Sequence, residues 1–171
     1  MMKELCERFE FRQIHLDDGK RVAEIESICF PPNEACTLEI MEERVKKASD
    51  SFLVAIEKQT KQIAGFINGL ATDEDSLRDE FFTNVGLHNP DGSYMMILGV
   101  DVLPEYRKQG LAKTMMAEFV RRESAKGRKR VVLTCLAPKV NMYQKMGFQD
   151  HGRSDSSWGG EEWHEMSCVI N

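Results

Sequence analysis

Two stretches of nearly continuous apolar residues, Tyr94–Leu103 (YMMILGVDVL) and Arg130–Leu136 (RVVLTCL), have strand length and no regular polar face. Strands of that kind must be covered on both sides. Between them, Gly110 opens a segment in which Leu111, Met115, Met116, Phe119 and Val120 form one stripe at helical spacing. The stripe ends near Lys126, with Gly127 placed as its C-cap. Strand, helix and strand in that order make a right-handed crossover, which sets the two strands side by side and parallel.

The remaining elements read as a mixture around that unit. Phe9–Leu16 alternates like a short strand. Asp17 and Asp18 suit the start of a helix carrying Val22, Ile25 and Ile28, which Pro31-Pro32 stops. Thr37 opens a second helix with Leu38, Met41 and Val45 on one side. Ser51–Glu57 and Gln62–Ala71 form a hairpin around a polar turn, Asp73–Phe82 a short helix, and Asn84–Ser93 a loop with strong turn chemistry. Lys139–Met146 is a further short helix, and Phe148–Arg153 and Trp163–Ile170 a closing strand pair. The expectation is an α/β (α+β mixed) chain, partly antiparallel, forming a single domain over residues 1–171.

Composition narrows the class. No run approaches the ~20 apolar residues of a membrane span, and the first residues lack the apolar stretch of a signal peptide. Five cysteines, with no CxxC pair, read as reduced thiols of a cytoplasmic protein, and no Cys/His cluster suits a metal. The net charge of −5 hides an asymmetry. Residues 104–130 hold nine Lys/Arg against three Glu, leaving 14 basic against 25 acidic groups elsewhere. A basic island in an acidic body suits an anion at the island and a cation elsewhere. A nucleic-acid partner is disfavoured, because the acidic remainder repels a phosphate backbone.

The turn Arg107-Lys108-Gln109-Gly110-Leu111-Ala112 lies between the first buried strand and the basic helix. A helix start carries unpaired N–H groups and a positive dipole end, so it attracts anions. Gly110 permits close backbone approach, and Arg107, Lys108 and Lys113 add positive charge, a combination suited to a pyrophosphate. A P-loop is excluded because Arg107 and Ala112 stand where glycines are required, and no GxGxxG is present.

The six residues alone are not diagnostic, but a second motif comes after the next strand: Asn141-Met142-Tyr143-Gln144-Lys145-Met146-Gly147-Phe148. The two motifs, in this order and about 30 residues apart, resemble those of the GNAT N-acetyltransferase superfamily. Phe9–Leu16, Phe52–Gly69, Tyr94–Ala112, Tyr143–Phe148 and Trp163–Cys168 look most like its arylalkylamine N-acetyltransferase branch. The resemblance implies a GNAT fold: a mostly antiparallel sheet with one splayed parallel pair and helices on both faces. It implies acetyl-CoA as cofactor, with CoA as product. The backbone at Leu98, Val100, Asp101 and Val102 would meet the pantetheine arm. Arg107, Lys108, Gln109, Gly110, Leu111, Ala112 and Lys113 would hold the phosphates, and Asn141 and Tyr143 would complete the cofactor site. Gly99 suggests a β-bulge that frees donors for the acetyl carbonyl.

The implied reaction is direct attack of an amine on a thioester. It needs a neutral amine, a stabilised oxyanion and a proton for the departing thiolate. Tyr143 matches the family's general acid. The branch's two strand histidines are absent, since Met96 and Leu98 occupy their places. Phe30-Pro31-Pro32-Asn33-Glu34 resembles the loop that carries a glutamate in insect relatives, making Glu34 the candidate for deprotonating or orienting the amine. Asp101 and His88 are secondary candidates. His15, His151 and His164 read as structural or solvent-facing, and Cys135 as core.

The expected partner is a small primary amine, arylalkylamine or another cation, with no nucleic acid and no membrane. A homodimer is compatible with the family, although no apolar stripe demands one. Phe30, Phe81, Phe82, Met95 and Met96 are either an apolar acceptor pocket or ordinary core. A polyamine or protein N-terminus as acceptor, and a catalytically silent CoA sensor, are the alternatives.

Overall fold

The computed structural model describes residues 2–170. Helix α1 (Met2–Arg8) runs directly into strand β1 (Phe9–Gln13). Helices α2 (Gly19–Cys29) and α3 (Leu38–Lys47) come next, the latter capped by the Thr37 hydroxyl, which accepts the Ile40 N–H at 3.2 Å. Strands β2 (Phe52–Glu57) and β3 (Ile63–Thr72) form the hairpin, with every residue of both buried. A single helical turn, α4 (Glu80–Thr83), precedes β4 (Tyr94–Val102). Then come α5 (Leu111–Ala125), β5 (Arg130–Cys135), α6 (Val140–Lys145), β6 (Gln149–Arg153) and β7 (His164–Val169).

These seven strands form one sheet in the order β1-β2-β3-β4-β5-β7-β6. Every neighbouring pair is antiparallel except β4 and β5. Strand alternation divides the core between the two faces. Val54, Ile56 and Phe66 pack with Val22, Ile25, Met41 and Val45 of α2 and α3. Leu53, Ala55 and Ile67 pack with Leu111, Met115 and Phe119 of α5. Helices therefore cover both faces, as the unbroken apolar strands require.

Two departures from regularity shape the centre of the sheet. The parallel ladder covers only Tyr94–Met96 of β4 against Arg130–Val132 of β5. Beyond it, β4 continues along β3 while β5 continues along β7, so the two strands part. At the point of parting, Asn68 pairs with Gly99 and Gly69 with Ile97, leaving Leu98 as an extra residue in β4. This bulge shifts the alternation. Met95 and Ile97 face α5 before it; Val100 and Val102 face α5 after it. Asp101 is thereby turned toward α2 and fully buried.

Several sequence expectations shift. The strand expected over Phe9–Leu16 ends at Gln13, and Leu16 sits exposed in a 3-10 turn. Asp18 does not cap α2; its carboxylate accepts from the His15 N–H and from Arg12. Ile28 and Leu38 are about half exposed, while Glu26 and Arg44 are buried on the inner faces of their helices. The helix expected over Asp73–Phe82 is reduced to α4, because Asp73–Asp79 is occupied by turns and side-chain bonds.

The basic island is also less solvated than its composition suggests. Arg128 is 3% exposed. It pairs with Glu123 at 3.0 Å and donates to the carbonyls of Pro90 and Gly92 at 2.6 Å each. That bridge fastens the loop entering β4 to the end of α5. Removing one partner of such a buried pair strands the other charge. Arg128→Met is accordingly expected to cost about 3 kcal/mol in chemical denaturation.

Candidate active site

Where β4 and β5 part, the surface opens into a groove of about 620 Å³ on one side and a smaller cavity of about 240 Å³ on the other. Cys29, Phe30, Val100, Lys139 and Tyr143 line both, so the two spaces meet at Tyr143.

The groove ends at the start of α5. Gly110 precedes the helix in the left-handed region at φ 85°, and Lys108 is left-handed too at φ 61°. Left-handed residues separated by one of ordinary hand turn successive N–H groups toward one side, the geometry of an anion nest. The backbone N–H groups of Lys108 through Lys113 donate to no acceptor among the described residues. The first bond of the helix ladder is Thr114 N–H to the Gly110 carbonyl, at 3.1 Å. Lys108 and Lys113 flank this array, and Lys139 and Lys145 face it from the α6 side. The last two lie outside the basic island, and composition alone does not single them out.

Two side chains of the turn have other engagements. Arg107 donates its Nε–H to the Val102 carbonyl at 2.8 Å, folding back on the strand edge instead of reaching outward. Gln109 accepts from Arg8 at 2.6 Å and donates to the Glu105 carbonyl at 3.1 Å, bracing the turn against α1. Leu111 points into the core, leaving its backbone and that of Ala112 at the groove. Val100, Val102 and Asn141 line the groove; Leu98 and Gly99 line the smaller cavity.

Tyr143 is 6% exposed, and its ring meets Phe148 edge to face at 5.9 Å. Its hydroxyl makes no hydrogen bond among the described residues. Burial, chiefly, pushes its pKa above the usual phenol range, so it is a protonated phenol at neutral pH.

The smaller cavity has aromatic walls. Phe82 stacks on Trp158 at 4.9 Å and 18°. The Trp158 indole N–H donates to the Glu34 carbonyl at 2.9 Å, and the Trp163 indole to the Trp158 carbonyl at 2.8 Å. The first bond latches the loop before β7 onto the loop after α2, and the second braces the loop before β7 internally. Nothing in the sequence pattern marks the two tryptophans as site residues. Of the five apolar residues proposed from sequence, Phe30 and Phe82 line the cavity, whereas Phe81, Met95 and Met96 are buried core.

Glu34 is half-buried on the cavity wall. Burial first, then the charge of Glu161, raises its carboxyl above the ordinary range against the pull of Lys139. His88 is 4% exposed in its side chain and held away from this cavity. Its Nδ1 accepts the Ala71 N–H, which leaves Nε2 to donate to Asp50. His151 and His164 bond Ser167 and Asp150 within the β6–β7 pair. Cys135 lines the cavity, but burial pushes its thiol up to about 11, leaving it protonated.

Asp101 is held well above the carboxylate range, first by burial and then by Glu26. A carboxyl whose folded pKa is raised contributes its full stability below the ordinary carboxylate pKa and loses it as pH rises through the folded value. Asp101→Asn, which cannot ionise, should therefore melt above the wild type at about pH 8, with the gap closing toward about pH 4. A gap independent of pH would contradict the buried neutral carboxyl.

Comparison with known proteins agrees with this fold. The fold superposes on the loading GNATL domain of CurA from Lyngbya majuscula with a TM-score of 0.81 at 18% identity, covering 95% of this chain and 98% of that one. The GphF GNAT-like decarboxylase, solved with isobutyryl-CoA, gives 0.79 at 14% identity, covering 95% and 100%. A phosphinothricin acetyltransferase from Sinorhizobium meliloti, solved with AcCoA, gives 0.68 at 15%, covering 96% and 89%. Residues 19–148 match the model of the acetyltransferase (GNAT) family, and the chain belongs to that family.

Proposed function

We propose that this protein is an acetyl-CoA-dependent N-acetyltransferase whose acceptor is a small primary amine with an apolar body. The observation that carries the reading is the run of free N–H groups from Lys108 to Lys113, joined by one continuous groove to Tyr143. Six donors at a helix start, flanked by four lysines, suit a diphosphate. The edge of β4 past Met96, released from β5, suits the amide-bearing arm that would extend it like an added strand. The thioester then arrives at the bulge, beside the Tyr143 hydroxyl. In this reading Tyr143 is the acid that protonates the departing sulfur. Arg107 holds the Val102 carbonyl and must yield it if the arm takes that position.

The cavity's chemistry selects the acceptor. Its walls are Phe82, Trp158, Ile97 and Leu133, and its acids are Glu34 and Glu26. A volume of about 240 Å³ with aromatic walls favours an arylalkylamine-sized monoamine over a long polyamine, whose second ammonium would lie against apolar side chains. Glu34, at the wall and partly wet, orients the incoming ammonium.

Titration with CoA in a calorimeter should show one site per chain. Acetyl-CoA mixed with arylalkylamines, polyamines and N-terminal peptides should release thiol fastest with an arylalkylamine. CoA binding without thiol release on any amine would instead support a silent sensor. Tyr143→Phe should lower kcat about 10²-fold while leaving the Kd for CoA within about twofold. An unchanged kcat would remove the acid role.

A further inference from the structure

Beneath the bulge lies a buried polar cluster to which acetyl transfer by Tyr143 and Glu34 gives no task. Gly99 has no side chain, and the position a Cβ would take is 2.9 Å from Asp101 Oδ1, 3.1 Å from Asn68 Nδ2 and 3.5 Å from Glu26 Oε1. All three side chains are at least nine-tenths buried. Even alanine at 99 would press on the Asp101 carboxyl, so the glycine keeps this space for the acids. Glu26 Oε2 accepts the Cys36 N–H at 3.1 Å. Glu26 Oε1 has no hydrogen-bond partner among the described residues, and Glu26 lines the acceptor cavity beside Gly99. Asp101 lies behind it.

Ionisable groups face the pair from several elements. From α2 come Glu26 and the Cys29 thiol, from the loop after it the Cys36 thiol, from α3 Arg44, and from β4 Asp101. Burial raises both thiols, Cys36 to about 12, so neither carries charge at neutral pH. Arg44 is 2% exposed; it donates to Asn68 Oδ1 at 3.1 Å and to the Phe82 carbonyl at 2.8 Å. That bond turns the neutral Asn68 amide so that its Nδ2 faces the acids. Two ionised carboxylates buried this close together would repel each other with little screening. One proton therefore stays with the pair. Asp101 is the deeper member and retains it, and Glu26 is the member that lines the cavity.

We infer that Glu26 accepts the proton of the substrate ammonium, with Asp101 and Asn68 as the positioning residues packed behind its carboxylate at the bulge. This rests on the acetyltransferase reading. The amine enters as R–NH3+, and Glu26 Oε1 takes one proton, giving R–NH2 and a carboxylic acid that later releases its proton to solvent. The nitrogen lone pair attacks the thioester carbon; the C–N bond forms and the C–S bond breaks. Sulfur leaves with the bonding pair and takes the Tyr143 proton, and the second ammonium proton restores the phenol. Amide, CoA thiol and one free proton result. Glu26 and Glu34 thus divide the work: Glu34 orients the cation from the wall, and Glu26 neutralises it at the floor.

The test compares wild type and Glu26→Gln, using the amine that the wild type turns over fastest, from about pH 6 to about pH 10. The glutamine keeps a carbonyl for the Cys36 N–H, so the loop it secures is retained. At neutral pH the variant should lose about 10²–10³-fold in kcat/KM. The loss should shrink about tenfold per pH unit as solvent, instead of the enzyme, deprotonates the amine. Its Kd for CoA should stay within about twofold. Glu26→Asp, which keeps the charge on a shorter arm, should retain the wild-type profile shape at lower kcat, and stands as the comparison if the glutamine variant unfolds. A glutamine or aspartate variant whose loss fails to follow these shapes, such as a Glu26→Gln profile parallel to wild type, would overturn the inference while the acetyltransferase reading stands. A wild type that neither binds CoA nor consumes any amine would overturn both.

Discussion

The parting of β4 from β5 after three paired residues is the constraint on which the other features of the site depend. It is held open from both sides by ordinary sheet physics. Each strand retains a full antiparallel partner, β3 for one and β7 for the other, so the separation sacrifices only the pairing between them. The bulge at Leu98 fixes where this happens and inverts the facing of the strand residues beyond it. Without it, Asp101 would face α5 and Val100 would face α2. One extra residue thus sets both the groove and the buried acids.

The site draws together opposite fields at a short distance. Lysines and free N–H groups make the groove a place for an anion, while Glu26 and Glu34 make the cavity a place for a cation. Tyr143, neutral and buried, stands where the two meet. Low polarity around the junction strengthens each interaction aimed into it and penalises any charge left unpaired. Amine acetylation has the matching demand, since a cation must be made neutral before it reacts and an anion must be quenched as it leaves.

The fold is legible in the sequence because its central elements obey simple periodicities. YMMILGVDVL and RVVLTCL announce strands covered on two faces, and the helix from Gly110 announces their crossover. The turn with free N–H groups can be read because its chemistry is carried by backbone, which needs only Gly110 and a helix start. The floor of the smaller cavity is hidden for the opposite reason. Glu26 sits one turn from Val22 and beside Ile25, but Glu24 and Ser27 around it are also polar, so the apolar pattern points to Ile28 as the inner face. Only the chain's return at Asp101 and Asn68 makes a buried acid intelligible there. Trp158 and Trp163 likewise lie in a polar loop, and nothing local says that the Trp158 indole latches onto the loop after α2 while the Trp163 indole bonds the Trp158 carbonyl.

The most direct measurement of the central claim is a crystal structure with CoA and the best acceptor amine. The account predicts the pyrophosphate on the N–H groups of Lys108–Lys113, the pantetheine arm along β4 beyond Met96, and the sulfur within hydrogen-bonding distance of the Tyr143 hydroxyl. A cofactor bound elsewhere, or an arm that leaves the space between β4 and β5 empty, would contradict it.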